Sequence, residues 1–334
     1  TTSEEEKVQY MNYISKLSLL ALFSGILLTS CGSDDDNTPV LEVTPSIVET
    51  AQATPDLSIL VEALQAADGN LIDVINAGEY TVLAPTNEAF AAFLTANGFN
   101  SLADVPTDVL SNILLNHVIT GTITSTDLMT AGAGYTKTNA TNADGDLLDA
   151  YFSTSNGVTF NGVSSVATAD VEASNGVVHI VDAVIGLPTV VTFAVADPTF
   201  ETLVAALTRA DHTTDYVGTL STGTQPSPFT VFAPTNDAFG ALLIETGIPT
   251  LGDIPLELLE NTLNTHVIGF LNARAEDLVQ DQVLATLGST LTVSLTDGPQ
   301  LTDENGRVAN IIVTNVQAYN GVVHVIDKVL LPLL

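Results

Sequence analysis

The pattern of hydrophobic and polar positions changes between strand-like and helical periods, and the same changes occur twice along the chain. Around residue 80, Tyr80–Leu83 is a β-prone apolar run, and Pro85 stops the strand that this run predicts. Thr86 or Asn87 then caps a helix, with Glu88 in the first turn at the positive end of the helix dipole. Helical spacing predicts that this helix buries a face formed by Phe90, Phe93 and Leu94.

The next segment predicts a second helix and then strands. Pro106 opens the helix, and His117–Ile119 returns the chain to a strand. Asn175-Gly176 is a turn signal, after which Val177–Ile185 alternates as a strand. The buried face of the second helix is predicted to contain Val109, Leu110, Ile113 and Leu114. Helices in the first half and strands in the second half predict an α+β fold.

Comparison of the chain with itself shows that this pattern is a repeat. Thr81–Phe90 recurs as Thr230–Phe239, with eight of ten positions identical at an offset of 149. Two shorter boxes also return, the first at an offset of 149 and the second at 145: His117–Ile119 as His266–Ile268, and Asn175–His179 as Asn320–His324.

The length of the repeat predicts two consecutive domains. A unit of about 145 residues is too long for a solenoid repeat, so each copy should fold as a self-contained domain. The expected domains span residues 48–188 and 190–332. Upstream, Leu60 pairs with Leu203 at an offset of 143, and the change to 149 falls in the loop Ser221–Pro228, where an insertion costs little.

The three boxes resemble the fasciclin domain. Thr-Val-Leu/Phe-Ala-Pro-Thr-Asn-Glu/Asp-Ala-Phe, then His-Val-Ile, then Asn-Gly-Val-Val-His occur in this order in both copies. The resemblance implies two consecutive α+β domains, each a β-wedge or sandwich with a helical layer. It also implies an extracellular role in adhesion or matrix contact, and no cofactor. The family-motif residues, expected to be mainly structural, are Pro85, Thr86, Asn87, His117, Asn175, Gly176 and His179, and then Pro234, Thr235, Asn236, His266, Asn320, Gly321 and His324.

One motif of the animal members does not carry over. In those proteins a Tyr-His pair near the middle of the domain is tied to receptor binding. The histidines are present here as His117 and His266, but the residues before them are Asn116 and Thr265. The resemblance therefore does not extend to receptor engagement of the animal type.

Four of the five histidines occupy equivalent places in the two copies. They could form a metal pair or an acid–base site in each copy, or each ring could bond backbone groups beside the strand ends. Zinc requires three or four ligands, and no His-rich or Cys-bearing cluster completes a pair of histidines. The structural interpretation is favoured, so no catalytic, cofactor-binding or metal-binding residue is predicted.

Other candidate chemistry is weak as well. The chain lacks a G-x-S-x-G nucleophile elbow, and an enzyme is not expected. Asn142–Asp146 superficially resembles a calcium loop, but Ala140 and Tyr151 stand where ligands would be required, which favours a solvated turn. Asp303–Gly306 is likewise predicted to be a turn.

The composition excludes several classes of partner. With 46% hydrophobic residues the chain can build real cores, while 7 Lys and Arg against 39 Asp and Glu leave a net charge of −32. Such a surface repels nucleic-acid phosphates, and it has no polybasic patch for anionic lipid. A single cysteine excludes a disulfide framework and every metal or redox motif with several cysteines.

Residues 1–30 are expected to be a signal region, and translation is expected to start within it, at Met11. Lys16 supplies the positive charge, and the apolar run Leu17–Leu28 is shorter than the roughly 20 residues that a membrane-spanning helix needs. The run ends in Leu-Thr-Ser-Cys, which resembles the bacterial lipobox. Cleavage before Cys31 and lipidation of its thiol are therefore expected, so the lipid on Cys31 would hold the protein at the membrane. Without residues 1–30 the net charge is −31.

Residues 31–47 form an acidic tether that should stay extended and solvated. The sequence Ser33–Asp36 resembles the export signal of surface-exposed lipoproteins in some Gram-negative bacteria, and a plain spacer is the alternative. The expected location is the outer membrane of a Gram-negative bacterium, with the protein displayed at the surface.

These features predict a lipid-anchored cell-surface adhesion protein that contacts an extracellular or biofilm matrix. Its partner would be a matrix polysaccharide or a surface protein, and two domains would add avidity. The alternative is a surface lipoprotein that binds carbohydrate or a small ligand. That function requires aromatic stacking platforms, whereas the chain has no Trp and only 6% aromatic residues.

Overall fold

In each repeat, most helices precede most strands along the chain. The computed structural model describes residues 44–333, so the signal region, Cys31 and the tether up to residue 43 lie outside the described residues. The helices of the first repeat are α1 (Ile47–Ala53), α2 (Ser58–Ala66), α3 (Leu71–Ala77), α4 (Asn87–Ala96), α5 (Thr107–Leu115) and α6 (Ser125–Ala131). Its strands are β1 (Tyr80–Pro85), β2 (Val118–Thr120), β3 (Ala133–Thr141), β4 (Leu147–Ser153), β5 (Thr159–Phe160), β6 (Ser164–Ala173) and β7 (Gly176–Val181).

The second repeat follows the same plan. Its helices are α7 (Val190–Ala196), α8 (Glu201–Leu207), α9 (Tyr216–Leu220), α10 (Asn236–Thr246) and α11 (Leu256–Thr265). Its strands are β8 (Phe229–Pro234), β9 (Val267–Gly269), β10 (Val283–Ala285), β11 (Thr290–Ser294), β12 (Gln300–Thr302), β13 (Val308–Ala318) and β14 (Gly321–Ile326). The helix α6 has its counterpart in a single 3₁₀ turn, Ala275–Asp277.

The strands of each repeat form one seven-stranded sheet. The order is β2-β1-β7-β6-β5-β4-β3 in the first repeat, and β9-β8-β14-β13-β12-β11-β10 in the second. The first strand of each repeat pairs in parallel with the last, so that Tyr80 lies opposite Gly176 and Phe229 lies opposite Gly321. All other pairs are antiparallel. This topology places the first and last sequence boxes of a repeat side by side, and it confirms the α+β prediction.

The central strands are buried on both faces. In β1, Val82 and Ala84 pack against the helices, whereas Leu83 packs into a separate cluster between the strands with Phe152 and Phe160. The second repeat divides its core in the same way, with Ala233 on the helical side and Phe232 on the other. Each fully buried Leu or Phe side chain stabilises the fold by about 2 kcal/mol through loss of exposed apolar area.

Two details of the sequence prediction were wrong. Val109 was expected on the buried face of α5, but its side chain is 37% exposed while Leu110, Ile113 and Leu114 are buried. The strand predicted for Val177–Ile185 ends at Val181, and its first residues are buried in succession rather than alternately. A strand covered on both faces shows no alternation, because neither face meets water.

Among residues 44–333, no single helix is long and apolar enough to cross a membrane. The segments Val190–Ala196 and Pro198–Leu207 meet the length and composition requirement only together, with a bend of 95° between them.

Candidate functional site

An asparagine beside the last hairpin holds three backbone groups in each repeat. Asn175 Oδ1 accepts a hydrogen bond from the Ile47 N–H at 2.9 Å. Its Nδ2 donates to the carbonyls of Ile75 at 2.8 Å and Gly78 at 3.3 Å. Asn320 makes the equivalent contacts to the Val190 N–H and to the carbonyls of Leu220 and Thr222. The amide therefore connects the hairpin to the first helix of the repeat and to the C-terminal end of the helix, α3 or α9, that comes before the first strand.

The glycine that follows this asparagine is required by close packing. Gly176 has φ +140°, and a Cβ at this position would lie 1.9 Å from the Tyr80 carbonyl oxygen. Gly321 has φ +152°, and its Cβ would lie 2.1 Å from the Phe229 carbonyl oxygen. The parallel strand pair can begin here only because neither residue has a side chain.

The Pro-Thr-Asn box joins the first strand to its helix. Pro85 and Pro234 are the last residues of β1 and β8, and both are buried. Thr86, rather than Asn87, caps α4 by accepting a hydrogen bond from the Ala89 N–H at 3.2 Å, and Thr235 does the same for α10.

The asparagine of the same box connects this helix to the start of an earlier helix, α2 in the first repeat and α8 in the second. Asn87 accepts from the Ile59 N–H at 2.8 Å and donates to the Pro55 carbonyl at 3.0 Å. Asn236 repeats both bonds at 2.8 Å with the Thr202 N–H and the Pro198 carbonyl.

The first histidine of each repeat connects the second long helix to the chain segment after the last strand. His117 Nδ1 donates to the Ile113 carbonyl at 2.8 Å, and its Nε2 accepts from the Ile185 N–H at 2.8 Å. His266 makes the same pair of bonds, to the Thr262 carbonyl at 2.7 Å and from the Leu330 N–H at 3.0 Å. Because a carbonyl only accepts and an N–H only donates, both rings are neutral with the proton on Nδ1.

The second histidine of each repeat uses the opposite tautomer. His179 Nε2 donates to the Ile123 carbonyl at 2.9 Å, and its Nδ1 accepts from the Asp170 N–H at 3.2 Å. His324 bonds the Ala273 carbonyl at 2.9 Å and the Asn315 N–H at 3.4 Å in the same way. Both rings are fully buried beside the last strand.

Burial keeps the first pair of histidines uncharged. It lowers the pKa of His117 and of His266 to about 4, against a smaller raising effect of the backbone carbonyl that each ring contacts. Burial also lowers the pKa of His324. With both ring nitrogens occupied by backbone groups, none of the four histidines has a lone pair to give to a metal. Within residues 44–333 there is no group of three or more His, Cys, Asp or Glu side chains that could hold a metal ion.

The acidic turn Asn142–Asp146 contacts the second repeat. Asp146 accepts from Arg274 Nη1 at 2.9 Å, and Asn272 Nδ2 donates to Asp144 at 3.1 Å and to Asp146 at 3.2 Å. The Asn142 side chain folds back on the turn and accepts from the backbone N–H groups of residues 144 and 146. The carboxylates are therefore partnered by a guanidinium and an amide across the domain boundary. Asp303 also forms its predicted turn, in which its Oδ1 accepts from the N–H groups of residues 305 and 307.

A buried carboxylate lies at the centre of the contact between the repeats. Asp149 of β4 is 5% exposed, and its Oδ2 receives the Gln317 N–H of β13 at 2.6 Å and Lys137 Nζ at 2.7 Å. Burial raises the pKa of Asp149, and Lys137 only partly offsets this effect.

Aromatic side chains also pack at the contact between the two domains. The Tyr151 ring belongs to the core cluster of the second repeat, and the Tyr135 ring lies 5.2 Å from it and 5.6 Å from Phe193. The Tyr135 hydroxyl donates to Asp197 at 2.9 Å, and burial, followed by the Asp197 charge, raises the pKa of Tyr135.

The contact between the two domains was not predicted from the sequence. The only local signal was the carboxylate of Asp149 inside the otherwise apolar run Leu147–Phe152. A lone charge in such a run indicates a partner, because a buried charge is stable only when it is paired.

The geometry defines a class of protein before any comparison: two α+β domains in tandem, whose recurring polar side chains are engaged in internal hydrogen bonds. The chain matches the Fasciclin domain family over residues 55–188 and 198–332, and it belongs to that family.

Known relatives agree with this assignment. Transforming growth factor-beta-induced protein ig-h3 of Sus scrofa is 34% identical over 260 residues, which cover 76% of this chain and 35% of that protein. Protein sll1483 of Synechocystis is 36% identical over 141 residues, covering 42% of this chain and 72% of that protein. Cell surface glycolipoprotein MPB83 of Mycobacterium bovis is 42% identical over 80 residues, covering 22% and 34%.

A solved FAS1 domain pair from the insect cell adhesion molecule Fasciclin I has the same fold. It superposes with a TM-score of 0.50 at 22% identity, covering 84% of this chain and 97% of that structure. The chain spans about a third of the length of the ig-h3 relatives, at 35%. One of these relatives is named as a cell-surface protein, and the solved domain pair comes from a cell adhesion molecule.

Proposed function

We propose that this protein is a lipid-anchored adhesion protein of the cell surface, which contacts an extracellular or biofilm matrix through a polysaccharide or a surface protein. It would reside in the outer membrane of a Gram-negative bacterium with its two fasciclin domains facing outwards. Among its relatives are a protein named as a cell surface glycolipoprotein and a domain pair from a cell adhesion molecule.

The observation that carries the proposal is the use of the motif residues. The recurring asparagines, threonines and histidines make internal hydrogen bonds, and the recurring glycines and prolines shape the strand ends. When the recurring polar side chains of a domain form hydrogen bonds within that domain, partners bind to its outer surface rather than in a reactive cleft. These internal bonds favour binding over catalysis.

The contact between the domains supports the same function. The buried Asp149 bond and the Arg274–Asp146 pair hold the two domains in one arrangement, so their outer surfaces keep a constant spacing. Two weak sites at a constant spacing on one chain bind a polymeric target more tightly than either site alone. Many chains anchored on one cell would extend this gain.

The anchor is assigned to Cys31, which lies outside the described residues. One acyl chain gives only marginal membrane binding, while two or three hold firmly, at about 0.8 kcal/mol per buried CH₂ group. Cys31→Ser keeps the size and polarity of the side chain but cannot form the thioether. We expect this variant to lose labelling by a palmitate analogue and to be absent from the outer membrane.

The adhesion proposal is tested by deleting residues 48–334 and measuring attachment and biofilm mass on several surfaces. Cells that produce the full chain should attach more than cells with the deletion, and cells with Cys31→Ser should behave like the deletion. Unchanged attachment in the deletion strain on every surface contradicts the adhesion function. Equal labelling of the Cys31→Ser variant, or its recovery at mature size in the outer membrane, contradicts the anchor alone.

A further inference from the structure

The two domains differ at one end of their sheets. Phe270 follows β9 with φ +62°, and the equivalent residue after β2 in the first domain is Gly121, with φ +89°. A left-handed backbone is unfavourable for a bulky side chain, whereas glycine adopts it readily. The Phe270 side chain is nevertheless 64% exposed, so its ring gains little from burial in return. An exposed ring kept in an unfavourable conformation points to a role outside the fold.

Other apolar groups surround this ring. The Phe270 N–H donates to the Pro226 carbonyl at 2.7 Å, Leu271 is 42% exposed and Leu287 is 52% exposed. Between them, a Cβ placed on Gly269 would lie 3.4 Å from Pro226 Cβ and 3.7 Å from Leu287 Cδ2, so these side chains are neighbours.

A second exposed ring lies on the other side of the loop that contains Pro226. Tyr319 is 43% exposed, and its ring lies 3.3 Å from the position a Cβ would take on Gly223. The equivalent of Tyr319 in the first domain is Ser174, and the intervening loop is the segment by which the second copy is longer. We refer to Pro226, Phe270, Leu271, Leu287 and Tyr319 as the apolar platform.

Most of the apolar platform lies in stretches of sequence without charged residues, in a strongly acidic protein. The platform residues belong to segments 216–236, 261–273 and 282–296, together with the hairpin tip at Tyr319, and none of these three segments contains Asp, Glu, Lys or Arg. The exception is Tyr319, which also borders a cavity of about 310 Å³ whose lining includes Asp108 of the first domain.

The same end of the first domain is instead a cavity of about 880 Å³ whose lining includes Glu79, Asp170 and Glu172. At the equivalent positions the second domain has Pro228, in the loop that contains Pro226, and Asn315 and Gln317, which lie at the contact between the domains beside Lys137 and Asp149.

We infer that the apolar platform is a binding surface for a neutral polysaccharide, with the rings of Phe270 and Tyr319 as stacking surfaces for uncharged sugar rings. This inference rests on the adhesion function proposed above and names its partner and its site. Hydroxyl and amide side chains lie in the same loops: Thr222, Thr224, Gln225, Ser227, Thr286 and Ser289. The hydroxyls of Ser227, Thr286 and Ser289 donate to backbone carbonyls, so towards sugar hydroxyls they are acceptors, whereas the Gln225 amide both donates and accepts.

The charges of the protein select against other occupants. An anionic polymer or an anionic membrane would be repelled by the net charge of −32 and would find no cation in the three segments. A cationic partner would be drawn to the acidic surfaces elsewhere. A second copy of the chain would bring two strongly negative molecules together around a small apolar centre. A neutral polymer meets none of these penalties, and aromatic rings set among uncharged polar groups fit its alternating C–H and hydroxyl surfaces.

The test uses the purified unit of residues 43–334, which contains the cores of both domains. Its mobility is measured in native gels that contain dextran, laminarin, galactan or hydroxyethyl cellulose, with alginate as the acidic comparison. Phe270→Gly and Tyr319→Ser each introduce the residue that the first domain has at that place. Ile244→Ala is the matched control, because Ile244 is an exposed apolar residue, at 84%, on a helix away from the platform.

We expect at least one neutral polysaccharide to retard the wild type and the Ile244→Ala variant. Phe270→Gly should weaken that binding at least 10-fold while leaving the melting temperature unchanged or higher, since glycine relieves the backbone. Tyr319→Ser should also weaken it. The proposal is overturned if no neutral polymer binds, if alginate binds equally well, or if Phe270→Gly binds like the wild type. Binding to zwitterionic vesicles in place of polysaccharide, lost in Phe270→Gly, would assign the platform to a lipid surface instead.

A parallel attachment assay separates this inference from the proposed function. Cells with Phe270→Gly that still attach like the wild type would refute the platform but leave adhesion standing. Cells with the full chain that attach no better than the deletion strain would refute adhesion itself.

Discussion

Asp149 in the first domain accepts a hydrogen bond from the backbone N–H of Gln317 in the second, at 2.6 Å and away from solvent. The Lys137 ammonium that pairs with the same carboxylate is 47% exposed, so solvent screens part of its attraction. The pKa of Asp149 is raised because burial outweighs this pairing. The contact therefore depends on the acceptor atom more than on its charge.

This balance predicts different outcomes for two substitutions of Asp149. Asp149→Asn retains an oxygen for the Gln317 N–H and removes the cost of a buried charge, so the free energy of unfolding should change by less than about 1 kcal/mol. Asp149→Ala leaves the Gln317 N–H unpaired, so it should lower the free energy of unfolding by about 2 kcal/mol. Urea unfolding at pH 7 measures both values. Equal destabilisation by Asn and Ala would show that the negative charge itself holds the domains together.

The buried histidines predict a loss of stability in mild acid. In the unfolded chain a histidine takes up a proton below about pH 6.5, whereas His117 and His266 in the folded protein exclude it until pH falls to about 4. Protonation therefore favours the unfolded chain, and stability decreases as pH falls through this window. At pH 5 each histidine should account for about 2 kcal/mol.

The measurement is urea unfolding at several pH values between 4 and 7. The double variant His117→Gln and His266→Gln should be less stable at pH 7 but should show a smaller dependence on pH, by up to two protons. About 0.5 M NaCl in all samples reduces the contribution of the many surface carboxylates. A pH dependence that is the same in the double variant and the wild type would contradict the assignment.

The hairpin glycines should tolerate no side chain. Gly176→Ala and Gly321→Ala would each place a Cβ about 2 Å from a backbone carbonyl oxygen of the neighbouring strand, so the parallel pair must separate. We expect a loss of about 3 kcal/mol or more in each case, measured by thermal or urea unfolding. Gly98→Ala is the control, because φ is also positive there (+75°) but no atom lies within 4 Å. It should cost only about 1 kcal/mol; a similar loss at all three positions would mean that φ, not contact, sets the cost.

Salt should stabilise the folded protein. A net charge of −32 makes the compact state repel itself, and salt screens this repulsion over a Debye length of about 8 Å at physiological ionic strength. The melting temperature should therefore rise between low and marine-like NaCl concentrations. The exposed ion pairs of Arg274 weaken in salt, but such pairs contribute little to stability. A flat or falling melting temperature would show that self-repulsion is negligible.

Much of each domain could be predicted from local sequence. The strand–proline–threonine–helix order around Pro85, the helix after Pro106 and the Asn175-Gly176 turn depend on backbone preferences that act within a few residues. The repeat also predicted the second domain, because similar motifs in the same order and at a nearly constant offset indicate the same fold. Local patterns failed where burial came from both sides, as in β7, since alternation disappears when neither face meets water.

The sequence by itself thus determined the fold class, the two copies and the strong negative charge, and the anchor at Cys31 stays a prediction from it. Only the tertiary structure decided what distant residues do together. It places Asp149 against Gln317 across 168 positions, and it brings Phe270 beside the loop that contains Pro226. Such contacts depend on the order of strands in the sheet and on the docking of one domain against the other. No local propensity encodes them, because their energy appears only after the chain has folded.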